Sequence, residues 1–192
     1  MIIGVNMNKV SVIGLGYVGI QMATALSKYN NVVGYDLNVN KIENYNNGID
    51  LTGEIGENFK DFYLNFTSDP NSIKDSDFFI VCVPTPSNEK GSACLTIEDN
   101  LKQGSIVIFE STVYIGATKL FCIPILEKNG KKCGEDFFVA FSPERINPGD
   151  KNRNMFNIDK IIGCENNDIA EKIKNLYNQI LEKCHIINSI EV

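Results

Sequence analysis

The chain has 192 residues, 43% of them hydrophobic and 22% charged, enough for one domain with a substantial core. Its net charge of −6 argues against a nucleic-acid partner, because no basic stripe is present to neutralise phosphates. The opening "MIIGVNMNKV" is too short and too polar for a signal peptide, and no apolar run approaches membrane-spanning length, so a cytoplasmic protein without a membrane partner is expected.

In chain order, the apolar runs at 9–13, 32–35, 64–67, 77–83, 105–109, 137–141, 160–163 and 184–187 read as strands. Valine, isoleucine and phenylalanine dominate them with little alternation, which suits parallel strands buried on both faces. Helical stretches are expected at 17–29, 38–46, 55–62, 93–102, 115–128 and 166–182. This alternation predicts an α/β fold: a doubly wound, mostly parallel, Rossmann-like sheet in three layers, with residues 1–192 forming one domain. None of the six cysteines forms a C-x-x-C pair, so buried thiols in a reducing compartment are expected. His185, the single histidine, reads as a strand residue satisfied by its neighbours, and no metal site is expected.

Ligands in such sheets bind outside the carboxyl ends of the strands. After the first strand comes "GLGYVG", Gly14 to Gly19. Alone, this spacing is either a tight turn or a pyrophosphate cradle. It follows a strand and opens a helix, Gly19 and Ala23 leave one helix face small, and Asp36 ends the second strand, where an acid receives adenosine ribose hydroxyls. Gly14 would permit the turn and Gly16 the approach of phosphate, while Leu15, Tyr17 and Val18 complete the loop. Asp36 would repel a 2′-phosphate, so NAD is favoured over NADP. Lys41 either reaches a cofactor phosphate or is solvated on the second helix. In "VPTP", Thr85 either offers a hydroxyl to the cofactor or marks a rigid strand exit. In "ESTVYIG", Thr112 is either a turn hydroxyl or a group beside the nicotinamide. In "SPERINPGD", Glu144 and Arg145 form either a site on a proline-braced loop or a surface salt bridge.

Together, "GLGYVG", Asp36, "VPTP", "ESTVYIG" and "SPERINPGD" resemble, in order and spacing, the amino-terminal NAD-binding domain of the UDP-glucose/GDP-mannose dehydrogenase family. "SPERINPGD" and "DLTGEI" look more like its UDP-N-acetylhexosamine branch; the UDP-glucose branch typically carries a second glutamate where this chain has Pro148. The resemblance implies a four-electron oxidation of a UDP-sugar C6 alcohol to the uronic acid by two NAD, serving surface polysaccharide synthesis. A cysteine thiolate traps the aldehyde, and water hydrolyses the resulting thioester. It further implies that Glu144 activates or positions the water, that Arg145 helps hold the substrate, and that Thr112 holds a water or the nicotinamide amide close to the reacting carbon. Asp36 and Thr85 would hold the adenosine half, and residues 15 to 19 the pyrophosphate. UDP-glucose 6-dehydrogenase is one alternative. A 3-hydroxyacid or 6-phosphogluconate type of dehydrogenase is another, though it does not account for "ESTVYIG" or "SPERINPGD". A non-catalytic nucleotide sensor is a third.

Two departures from the family pattern stand out. Family members are roughly twice this length, and their central helix, catalytic cysteine, lysine and asparagine and sugar-binding domain would follow Val192. The chain is therefore expected to be the amino-terminal part of a longer homodimeric enzyme, binding NAD but inactive alone. In addition, the link from Pro86 to Ile106 is short for the family: either it is genuinely pruned or the chain breaks near Lys90–Ser92, and the break is the favoured expectation, with "SACLTIEDNLKQG" as the latter half of a helix.

Overall fold

In the computed structural model of the chain, residues 7–56, 64–83, 87–111, 114–143 and 159–191 are described. The strands are β1 (Lys9–Ile13), β2 (Asn31–Tyr35), β3 (Asn65–Thr67), β4 (Phe78–Val81), β5 (Ser105–Phe109), β6 (Phe137–Phe141), β7 (Lys160–Gly163) and β8 (Cys184–Ile187). They form one sheet in the order β3-β2-β1-β4-β5-β6-β7-β8. The first six strands are parallel, and the chain switches direction across the sheet between β1 and β4, which opens a crevice at their carboxyl ends. The β7–β8 pair is parallel within itself but antiparallel to β6, through Phe141 and Gly163.

Alternate strand residues feed two cores. Val10, Val12, Ile80, Ile106 and Ile108 pack on one face. Ile13, Phe79, Val81, Val107 and Phe109 pack on the other. Both faces are covered by apolar elements, so the strand sequences carry no polar alternation. The first core is closed by α1 (Tyr17–Leu26), α2 (Val39–Asn46) and α5 (Asn167–Tyr177). In α5, Ile169, Ile173 and Leu176 make an apolar stripe at helical spacing, and the Asn166 side chain caps the first turn by accepting from Asp168 N (3.0 Å) and Ile169 N (3.1 Å). The second core is closed by α3 (Ser87–Glu98) and α4 (Ile123–Leu126). Pro124 has no N–H to donate to Leu120, and the preceding turn, Thr118–Cys122, is π-helical. His185 lies exposed on β8, its Nε2 3.0 Å from Asp159 Oδ2.

Some helices differ from the sequence expectation. α1 stops at Leu26 and α5 at Tyr177, and of the stretch expected at 55–62 only residues 55 and 56 are described, neither of them α-helical. The break expected near Lys90–Ser92 is corrected outright: α3 runs unbroken from Ser87 to Glu98 instead of over 93–102. "SNEKG" reads as loop because serine, asparagine and glycine are poor helix formers. Burial of Ala93, Cys94 and Ile97 against the sheet overrides that preference. The helix ends where Asn100 turns back, its N–H donating to Ile97 O (2.8 Å) and its side-chain amide to Thr96 O (2.7 Å). Twelve residues span about 18 Å, enough to return the chain along a five-residue strand of about 16 Å, so the short crossover closes.

Gly91 tests this helix directly. A Cβ there would meet Phe121 at 3.6 Å, an ordinary contact. Gly91→Ala should raise stability by about 0.5–1 kcal/mol, read as a higher urea midpoint. A break or loop at 90–92 would leave the midpoint unchanged or lower it.

Candidate functional site

The carboxyl ends of β1, β2, β4 and β5 surround a cleft of about 620 Å³. β1 enters it through the glycine turn. Gly14 adopts φ +90°, a conformation that side chains rarely take, and its N–H donates to Tyr35 O (2.8 Å). A methyl on Gly19 would overlap the carbonyl oxygen of Gly14, so α1 sits against the strand exit with no room between them. Gly16 is the reverse case. It is the N-cap of α1, it lines the cleft, and nothing lies within 4 Å of where its Cβ would stand. Among the described residues no side chain caps this helix, and its first turn holds no acid. Backbone N–H groups and the positive end of the helix dipole therefore face open space, which is the chemistry of an anion cradle.

Asp36 stands just past β2, at one end of the cleft. Its Oδ2 accepts from Leu15 N (2.9 Å) and Lys41 Nζ (2.6 Å), and its Oδ1 accepts from Asn38 N (2.9 Å). A carboxylate offers about four acceptor positions, so one remains on Oδ1 for a ligand hydroxyl. Lys41, which also lines the cleft, is thus the ion-pair partner of Asp36. Behind the turn, the Tyr45 hydroxyl donates to Leu15 O (2.9 Å), and its ring packs on Phe66 at 5.3 Å. Burial pushes the Tyr45 phenol up to about 12, with Asp50 and Asp36 adding to the shift.

"DLTGEI" folds onto α1. Asp50 is partly buried, which alone would raise its pKa, but hydrogen bonds from the Thr52 hydroxyl and from Ile55, Thr52 and Gly56 N–H bring it below the usual value. Gln21 donates to Glu54 Oε2 (2.9 Å). Burial raises the Glu54 carboxyl, the charge of Asp50 adds to this, and a hydrogen bond with Tyr17 opposes it.

The far end of the cleft lies past β5. Ser111 Oγ donates to Val83 O, linking the exits of β5 and β4. Glu110, which lines the cleft, is 1% exposed. Its Oε2 accepts from Lys160 Nζ at the first residue of β7, and its Oε1 accepts from the Tyr177 hydroxyl at the end of α5. Lys160 and Tyr177 are fully buried too. Burial pushes the Tyr177 phenol well above its ordinary value, and the neighbouring Glu110 charge adds to that.

Of the residues singled out in the sequence, Gly14, Gly16, Tyr17, Val18, Asp36 and Lys41 share the cleft wall. Leu15 points into the core while its backbone serves Asp36 and Tyr45, and Gly19 is buried against the turn. Thr85, Thr112, Glu144 and Arg145 lie outside the described residues. Sequence reasoning passed over Glu110, although it opens the "ESTVYIG" stretch, and Lys160, which it placed only as the first residue of a strand. Among the described residues no group of three His, Cys, Asp or Glu side chains is placed to hold a metal ion, and no helix is long and apolar enough to cross a membrane.

Residues 8–181 match the family model "UDP-glucose/GDP-mannose dehydrogenase family, NAD binding domain". The chain is 42% identical over 196 residues to a UDP-N-acetyl-D-glucosamine 6-dehydrogenase of Pseudomonas aeruginosa, covering 96% of this chain and 46% of that protein. It is 41% identical over 189 residues to the enzyme of the same name from Salmonella typhi, covering 93% and 44%. The UDP-D-ManNAc dehydrogenase structure from Pyrococcus horikoshii superposes with a TM-score of 0.85 at 29% identity, covering 95% of this chain and 47% of that one. The chain thus spans a little under half the length of the curated relatives it matches.

Two glycines separate packing from binding. Gly19→Ala should destabilise the chain by about 3 kcal/mol or more in urea titrations, because backbone must move. Gly16→Ala, with an ordinary φ and open space, should cost about 1 kcal/mol or less yet weaken binding of a dinucleotide. A large stability loss in Gly16→Ala would contradict this assignment. Tyr45 adds a pH signature. Its folded-state pKa lies above the unfolded value near 10, so its stabilisation is complete below about pH 10 and is lost as pH rises toward 12, by up to about 2 kcal/mol. In Tyr45→Phe the fall in urea midpoint across that window should be shallower than in the parent.

Proposed function

We infer the function from the family: this chain belongs to the UDP-glucose/GDP-mannose dehydrogenase family and matches its NAD-binding domain. It supplies the NAD site of an enzyme that oxidises the C6 alcohol of a UDP-N-acetylhexosamine to the uronic acid, a precursor for surface polysaccharide. UDP-N-acetyl-D-glucosamine is the first candidate substrate, because two relatives above 40% identity carry that name. The NAD, when bound, supplies the oxidising power by accepting hydride from the sugar carbon.

The observation that carries the NAD reading is the contrast between Gly19, packed to contact, and Gly16, open to the cleft at an uncapped helix end. Backbone N–H groups of the turn and of α1 hold the diphosphate. Asp36 uses its spare Oδ1 position to accept from an adenosine ribose hydroxyl, and Lys41 balances its charge. A 2′-phosphate would meet the Asp36 carboxylate, which favours NAD over NADP. Thr85 helps hold the adenosine half, and Thr112 holds a water or the nicotinamide amide close to the reacting carbon. Glu144 activates the hydrolytic water and Arg145 binds substrate. The sugar site and the nucleophilic thiol belong, in this proposal, to the length of the relatives that this chain does not span, and the enzyme works as a cytoplasmic homodimer.

Calorimetry should find micromolar NAD binding by the chain, with weaker binding of NADP. Asp36→Ala should lower NAD affinity about tenfold, the worth of one hydrogen bond to a charged group. No NAD binding, or unchanged binding in Asp36→Ala, would sink the cofactor reading. Appended to a carboxyl-terminal half from the Pseudomonas aeruginosa relative, the chain should yield two NADH per UDP-N-acetyl-D-glucosamine, whereas alone it should yield no uronate. A single NADH per sugar would point to an alcohol dehydrogenase that stops at the aldehyde.

A further inference from the structure

We propose that Glu110, Lys160 and Tyr177 are positioning residues for the nicotinamide end of the cofactor, holding the β5 exit against which that half rests. This rests on the NAD reading of the cleft. Asp36, past β2, receives the adenosine ribose, and the glycine turn past β1 receives the diphosphate. The two strands that follow in the sheet are β4 and β5. Three strand spacings of about 4.8 Å carry the line from β2 to β5, roughly 14 Å, so the nicotinamide half reaches Val83, Glu110 and Ser111.

The residues there are held by a buried device. Glu110 takes one hydrogen bond from each of two directions: Lys160, from a strand beyond β6, and Tyr177, from a helix end. The adjacent Ser111 ties β5 to the carbonyl of Val83. Stability does not account for the arrangement, since a well-packed apolar trio would generally serve the core as well as a buried ion pair. What an apolar trio would lack is direction. The ion pair and the phenol fix the rotation of Glu110, and through the next residue they fix the two strand exits that form the floor of the cleft.

The test separates the nicotinamide ring from the rest of the cofactor. NADH fluorescence reports the nicotinamide surroundings, and competition by ADP-ribose reports the rest of the cofactor, since it lacks only the nicotinamide ring. The parent chain should enhance NADH emission on binding. Tyr177→Phe and the charge-neutral double variant Glu110→Gln/Lys160→Met should weaken NADH about tenfold and lose most of the enhancement. Their affinity for ADP-ribose should stay within about twofold of the parent, as expected for a site too distant to couple. Equal loss of NADH and ADP-ribose would mark the trio as purely structural and overturn the proposal. Unchanged NADH binding and emission in both variants would overturn it as well. A parent that binds neither ligand would instead remove the NAD reading itself, and this inference with it. Should the double variant fail to fold, Tyr177→Phe decides, because it keeps the ion pair and deletes one hydroxyl.

Discussion

The contact between Gly19 and the Gly14 carbonyl is the constraint on which the rest of the cleft depends. It seats α1 directly on the exit of β1, so the helix end opens over the strand edge rather than over solvent. A side chain at Gly19 would lift the helix and move its N–H groups away from the crevice, and one at Gly14 would strike the exit of β4 at Val83. The turn is then fastened from outside. Asp36 accepts the Leu15 N–H, and Tyr45 donates to the Leu15 carbonyl, so both backbone polar groups of one loop residue are satisfied by the second βα unit. The loop can leave its remaining donors unpartnered because these two bonds already define its path.

The two ends of the cleft are built differently. At the β2 end, Asp36 and Lys41 are only partly buried, at 11% and 25% side-chain exposure. An ion pair with that much water around it contributes modestly, so Lys41 can shift aside at little cost when a ligand arrives. At the β5 end, Glu110 and Lys160 are 1% and 2% exposed. Removing one partner there leaves a buried charge uncompensated, typically at about 3–5 kcal/mol. One end accommodates and the other resists displacement. That division suits a ligand whose one half is an address and whose other half must be aimed.

The strands and the glycine turn were legible because each is a local pattern: β-branched runs, turn residues and an acid at a strand end. β1 and β5 to β8 fall on the expected residues, since burial on both faces leaves an unbroken apolar signature. α3 was misread because its first half, "SNEKG", opposes its structure locally, and only packing by Ala93, Cys94 and Ile97 makes it helical. The Glu110 trio was illegible for a different reason. Its members are 50 and 67 residues apart, and lysine, glutamate and tyrosine carry no mark in sequence that distinguishes a buried partner from a solvated one.

Strand direction is what brings that trio together. Because β6 runs parallel to β5, Glu110 and Ser142 leave the sheet at the same edge, where Ser142 N donates to Phe109 O (2.9 Å). Had β7 continued the parallel winding, its first residue would lie at the opposite edge, some 13–16 Å away for strands of four or five residues. The reversal at β6–β7 instead starts β7 at the ligand edge. Its register, with Phe141 facing Gly163, carries Lys160 beyond the end of β6, where it reaches back to Glu110. Ser142 Oγ, donating to Ile161 O (2.7 Å), holds that offset. The antiparallel pair that departs from the simple doubly wound pattern is therefore the part of the fold that delivers a counter-charge to the floor of the cleft. A lysine at the first residue of a parallel seventh strand could not do so.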